Sequence, residues 1–134
     1  MAKALNIPVD KNIFHLIATM REGVKYNFFS NLTNAAPFSF TEWAKFLHLS
    51  ERTMLRYKTE KKRFDPLSSE KILEISMLYD LGIEIFDDKE KFNTWLETKN
   101  VALGNALPKD LLDSTFGISL LRDELNRIEH GVLA

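Results

Sequence analysis

The sequence predicts an all-α protein: a helix-turn-helix unit joined by a long central helix to a small helical platform. Apolar residues recur at the spacing of a buried helix face, most cleanly as Ile118, Leu121, Leu125 and Ile128. Ser, Thr or Asp stands where such stretches begin, and Gly23, Gly82 and Gly131 stand where three of them end. Between Thr41 and Lys58, two helical stretches are separated only by the tight connection His48-Leu49.

The 134 residues amount to one ordinary domain or two small ones. Apolar side chains make up 45% of the chain, enough for a core, and 28% charged residues are ordinary for a soluble globular protein. No cysteine is present, which excludes disulfides, thiolate chemistry and cysteine-ligated zinc. That absence fits a reducing cytosol. The first residues lack a basic segment followed by an apolar run, so no signal peptide is expected. No stretch is long and apolar enough for a membrane span, and a cytoplasmic location without a membrane partner is expected.

The net charge of −1 hides a polarity. Residues 41–64 carry seven basic side chains against three acidic ones, whereas residues 65–134 carry seven against fourteen. A basic middle and an acidic C-terminal half suggest two surfaces with different partners.

Residues 1–11 read as a lead-in broken by Pro8. Ile13, Leu16, Ile17 and Met20 place a helix over residues 12–21, interrupted by Gly23. Tyr26, Phe28, Phe29 and Leu32 form a short aromatic segment expected to stop in a polar turn over 31–36, before Pro37 imposes extended backbone.

In the stretch that follows, Thr41 is the candidate N-cap of one helix and Ser50 of a second beginning at Glu51. Helices joined by so short a turn must cross steeply, which needs a small residue at the approach, supplied by Ala44. Trp43, Leu47, Leu49, Met54 and Tyr57 fall at the offsets that pack inside such a pair. This is the helix-turn-helix arrangement, placed at about residues 41–60, whose second helix can lie in a DNA major groove. His48 stands where such turns usually carry glycine; histidine tolerates positive φ better than most residues.

On this reading Ser50, Glu51, Arg52, Leu55 and Arg56 reach base edges, while Lys58, Lys61, Lys62 and Arg63 suit phosphates. The alternative is a packing or dimerisation module whose basic run is a solvated helix end, favoured there by the macrodipole.

Asp65-Pro66 sets a boundary, giving an N-terminal region over 1–66 and a C-terminal one over 67–134. Ser68 or Ser69 is expected to cap a long helix to about Leu81, apolar on nearly all sides, which Gly82 ends or loosens. Asp87 and Asp88 cap a helix bearing Phe92, Trp95 and Leu96, ending near Lys99-Asn100 with Asn100 as C-cap. A turn containing Gly104 follows over 101–107, then a short helix from Pro108. Gly117 separates it from the last helix, which Gly131 closes, leaving the apolar tail Val132-Leu133-Ala134.

Several spaced elements of this C-terminal half agree in order: the Trp95-Leu96 pair, Asn100-Val101-Ala102-Leu103-Gly104, Pro108 with Leu111, Leu112 and Gly117, and Arg127-Ile128-Glu129 followed by Gly131-Val132. Together they resemble the toxin-binding domain of the Xre/MbcA/ParS antitoxins. The stretch from Ser39 to Tyr57 resembles the same family's N-terminal, Xre-like helix-turn-helix region, so the likeness covers about residues 38–134.

The resemblance implies a type II toxin–antitoxin antitoxin, not an enzyme and without a cofactor. Its partner would be a cognate RES-domain toxin that degrades NAD, or in some relatives ADP-ribosylates. The C-terminal domain would block the toxin's active site, and the N-terminal region would bind operator DNA as an autorepressor, commonly as a homodimer. Most motif residues would maintain the fold. Arg127, Ile128, Glu129, His130, Gly131, Val132, Leu133 and Ala134 are the candidates for direct toxin contact.

The residues themselves offer no catalytic constellation. His15, His48 and His130 lie in different segments without metal-ligand spacing, and the glycines form no phosphate-cradling loop. Trp43 and Trp95 sit on apolar stripes and read as core. The remaining alternative is a stand-alone helix-turn-helix transcription regulator whose C-terminal half dimerises or senses a ligand.

Overall fold

The computed structural model describes residues 13–131. Among them are seven α-helices and two 3-10 turns: α1 (Ile13–Glu22), α2 (Tyr26–Ala35), α3 (Phe40–Leu47), α4 (Glu51–Glu60), α5 (Pro66–Phe86), α6 (Lys89–Leu96), η1 (Val101–Leu103), η2 (Pro108–Leu111) and α7 (Thr115–Glu129). The only pairing of extended backbone among the described residues is an isolated bridge between Asn100 and Ala106. No helix there is long and apolar enough to cross a membrane.

The 21-residue helix α5 is the spine. It packs against α1, α3, α6 and α7, which is why its sequence is apolar around most of its circumference rather than along one stripe. Ile72, Ile75, Leu78 and Tyr79 are buried on it. On the N-terminal side the core is aromatic: Trp43 meets Phe29 and Phe38 edge-on at 5.1 and 5.5 Å, and Tyr57 stacks on Phe64 at 4.4 Å. On the C-terminal side Phe92 lies 5.5 Å from Tyr79 and 5.7 Å from both Phe86 and Trp95.

Several expected boundaries shift, each for a local reason. The polar run after Phe29 does not form a turn over 31–36; α2 continues to Ala35, since Leu32 is buried and Ala36 donates back to its carbonyl at 3.0 Å. The cap of α5 is Asp65, not Ser68 or Ser69: Asp65 Oδ1 accepts the Ser68 amide at 2.8 Å, and Pro66 takes the first turn, where a missing N–H costs nothing. Ser69 instead is buried, its Oγ accepting the Val24 amide at 2.8 Å and donating to the Phe64 carbonyl at 3.2 Å.

Nor does Gly82 end α5, which runs on to Phe86. A Cβ at Gly82 would stand 2.1 Å from the Phe92 ring, so glycine is there for close helix approach. Asp87 adopts φ +57° as the C-cap of α5, leaving Asp88 alone to cap α6. Helix α6 stops at Leu96 rather than near Lys99-Asn100. Gly117 does not separate helices; it lies inside α7, whose N-cap is Ser114.

Candidate functional site

Helices α3 and α4 form the helix-turn-helix. The N-cap of α3 is Ser39, not Thr41: Ser39 Oγ accepts the Glu42 amide at 3.1 Å and Glu42 Oε1 accepts the Ser39 amide at 2.9 Å. The Ser-x-x-Glu spacing of this capping box was present in the sequence. Thr41 sits in the first turn instead, and its Oγ1 donates to Glu51 Oε2 at 3.3 Å, tying α3 to α4.

Between the helices His48 takes the left-handed conformation, φ +56°, that the turn demands. A non-glycine residue there costs roughly 1–2 kcal/mol. Two backbone bonds offset the cost, from the His48 amide to Lys45 and from the Leu49 amide to Ala44. The ring adds a third contact, with Nε2 2.7 Å from the Asp113 carbonyl. A carbonyl only accepts, so Nε2 carries the proton, and the turn is anchored to the C-terminal half.

Ser50 caps α4, its Oγ accepting the Thr53 amide at 3.0 Å. Met54 is buried and Tyr57 half-buried, so these turn inward, while Glu51, Arg52, Leu55, Arg56 and Lys58 stay exposed. Leu55, 55% exposed, offers an apolar contact of the kind that reads a thymine methyl. Glu51, Arg52, Leu55 and Arg56 share the outer face of a single α-helix, the element a major groove admits.

The more distal basic residues are differently occupied. Lys61 is the left-handed C-cap of α4, Lys62 pairs with Glu60 at 3.0 Å, and Arg63 Nη1 donates to the Gly23 carbonyl at 3.0 Å.

In the C-terminal half the motif residues have identifiable structural tasks. Asn100 is not the C-cap of α6; its side chain caps η1 by accepting the Ala102 amide at 2.9 Å, while its backbone bonds Ala106 and Asn105. Gly104 ends η1 at φ +69°, and buried Pro108 starts η2. Of the expected stripe on α7, Ile118, Leu121 and Leu125 are buried, whereas Ile128 is 37% exposed because the helix end outruns the core.

Beyond Leu125, Arg127 is ion-paired with Glu124, Glu129 is exposed, and His130 Nδ1 lies 2.7 Å from the Asn126 carbonyl. Gly131 follows at φ +68°. Val132, Leu133 and Ala134 lie outside the described residues.

One feature escaped sequence reasoning. Lys109 Nζ reaches Glu42 at 2.7 Å and Glu97 at 3.3 Å, joining the first turn of α3 to η2 and to the residue just after α6. The hydrogen bond to Glu42 chiefly holds the ammonium above its ordinary pKa, against a smaller opposing effect of burial. For Glu42 burial pulls upward, but the bonds from Lys109 and Ser39 outweigh it and hold the carboxyl low. Neither partner is marked by local sequence, since the contact spans the fold. Among the described residues no cluster of three or more His, Asp or Glu side chains is placed to hold a metal ion.

A helix-turn-helix thus leads into a compact helical platform, and comparison with known proteins finds the same order. The family model described as the antitoxin Xre-like helix-turn-helix domain matches residues 15–76. The model of the antitoxin Xre/MbcA/ParS C-terminal toxin-binding domain matches residues 81–131. The chain is similar to an antitoxin Xre of Yersinia enterocolitica, 33% identical over 87 residues that cover 64% of this chain and 59% of the relative. It is also similar to an antitoxin Xre of Photorhabdus laumondii, 25% identical over 121 residues covering 90% of this chain and 82% of the relative. The matched segment therefore spans less than two thirds of the Yersinia protein and most of the Photorhabdus one.

Proposed function

Because this chain belongs to the Xre/MbcA/ParS family of antitoxins, we propose that it neutralises a RES-type, NAD-degrading or ADP-ribosylating toxin and represses its own operon. The observation that carries the reading is the order of parts: an Xre-like helix-turn-helix with Arg52 and Arg56 exposed on its second helix, then a platform matched by a toxin-binding domain. In this reading residues 1–66 serve DNA and residues 67–134 serve the toxin, with Arg127–Ala134 entering or covering the active site. A homodimer fits a two-fold operator, and the cytoplasm is where both DNA and NAD are met.

Co-expression tests the neutralising role. A neighbouring gene encoding a RES-like domain should arrest growth and deplete cellular NAD when expressed alone, and this chain should restore both and co-purify with its product. Failure of rescue together with failure to co-purify rejects the antitoxin role.

DNA binding is tested separately by mobility shift on the promoter fragment. Arg52→Ala with Arg56→Ala should weaken binding at least about tenfold, because a base-edge contact is worth ~1–3 kcal/mol. The shift should also fade with added salt. Unchanged binding by the double variant removes α4 as the reading helix.

A further inference from the structure

We propose that the outer face of α7, from Phe116 to Arg127, is a principal docking surface for the toxin, fitting an apolar crevice with basic groups at its rim. This rests on the antitoxin reading and places the anchor away from the C-terminal tail.

The inner face of α7 is already committed to the core through Ile118, Leu121 and Leu125. Its outer face carries a second apolar stripe left uncovered among the described residues. Phe116, the second residue of the helix, is 89% exposed, and Leu120 one turn later is 48% exposed. Residues four apart share a helix face, so the two side chains adjoin. Leaving a phenylalanine in water forgoes the free energy of its burial, and no packing among the described residues accounts for it. Beside Leu120 lies η1: Ala102 and Leu103, with Leu120, Asp123, Glu124 and Arg127, line a groove of about 320 Å³.

Three observations identify the occupant. Arg127 lines the groove and lies within one turn of Glu129 and His130, so a partner held at those two residues, as proposed above, can continue along it. Both η1 and α7 fall within residues 81–131, the segment matched by the toxin-binding domain. The exposed charge left over beside the groove is acidic. Arg127 is neutralised by Glu124, whereas Asp123 is exposed and has no ion-pair partner among the described residues. Residues 65–134 carry fourteen acidic side chains against seven basic ones. A second copy docked on this same face by two-fold symmetry would bring two Asp123 carboxylates into one interface, so a basic-rimmed partner fits this face better than self-association through it, and any homodimer uses another face.

The test uses the full chain and the purified product of the neighbouring toxin gene in a surface-binding titration. Phe116→Ala with Leu120→Ala should weaken the complex at least about thirtyfold, the level expected when a buried anchor is lost. Helical content, melting temperature and promoter binding should stay at wild-type values. Asp123→Lys should slow association at low ionic strength, with the difference vanishing at high salt. A double variant binding within about threefold of wild type overturns the proposal while leaving the antitoxin role intact. Loss of self-association with unchanged toxin affinity overturns it in favour of a second copy. A wild-type chain that fails to bind the toxin rejects the antitoxin reading itself, and this surface with it.

Discussion

Gly117→Ala is expected to destabilise the fold by about 3 kcal/mol, the upper end of what overpacking a closed site costs. Helix propensity alone points the other way, since alanine is favoured over glycine in a helix interior by ~1 kcal/mol. Contact decides the sign. A Cβ at Gly117 would stand 2.0 Å from the Leu111 carbonyl oxygen, 2.9 Å from its carbonyl carbon and 3.1 Å from its Cβ. These atoms close η2, which is held at its start by buried Pro108 and at its end by the neighbouring buried Leu112, so they cannot swing aside.

Gly82→Ala should cost less. Its obstacle is the Phe92 ring at 2.1 Å, a side chain rather than backbone, although Tyr79, Phe86 and Trp95 crowd that ring. Urea titrations should rank wild type above Gly82→Ala and Gly82→Ala above Gly117→Ala, with similar slopes. A Gly117→Ala midpoint at or above wild type would show that α7 and η2 separate easily.

Those two glycines also show where the sequence was legible and where it was not. Each stands in the sequence as a helix boundary, because glycine breaks helices on average and nothing local distinguishes a breaker from a contact. What identifies them is the partner, Phe92 or Leu111, brought in by tertiary packing. Ser68 and Ser69 misled similarly: serine is a good cap, but Asp65 with Pro66 competes three residues earlier and wins, freeing Ser69 to join the α1–α2 connection to the start of α5.

The helix-turn-helix was readable because its requirements are local. Ala44 at the approach, His48 at positive φ, Ser50 as cap and Met54 facing inward are all set within a dozen residues or so. The ties between the halves are not local. His48 to Asp113 and Lys109 to Glu42 join residues more than sixty positions apart, and no spacing rule anticipates them. Phe116 was invisible for a different reason. It stands beside Gly117, where the sequence suggests a break between helices, and only its place on α7 with 89% exposure turns it into a candidate contact.

Tyr79→Phe, together with its pH dependence, should give the second large effect. The last carbonyls of a helix have no partner within it, and in α2 the Ala35 carbonyl is met by the Tyr79 hydroxyl at 2.7 Å, with Asn93 Nδ2 at 3.4 Å. The same hydroxyl lies 2.7 Å from Asn93 Oδ1, so one side chain on α5 joins α2 to α6. Removing it leaves these acceptors underserved and should cost about 1–2 kcal/mol near neutral pH.

Burial pushes this phenol up to about 12 from an ordinary value of 10.0; Glu90 adds to the shift and the Asn93 bond opposes it. Because the folded-state value is the higher one, the contribution is complete below pH ~10 and is lost as pH rises toward about 12, where the unfolded chain gives up its proton first. Two units correspond to roughly 2–3 kcal/mol. Lysine titration in the same range is common to both proteins and cancels in the difference. Stability curves of wild type and Tyr79→Phe should therefore run apart to about pH 10, then converge and cross before pH ~12. Parallel curves across that interval would mean that water reaches the hydroxyl and that α2 is held to α5 and α6 by packing alone.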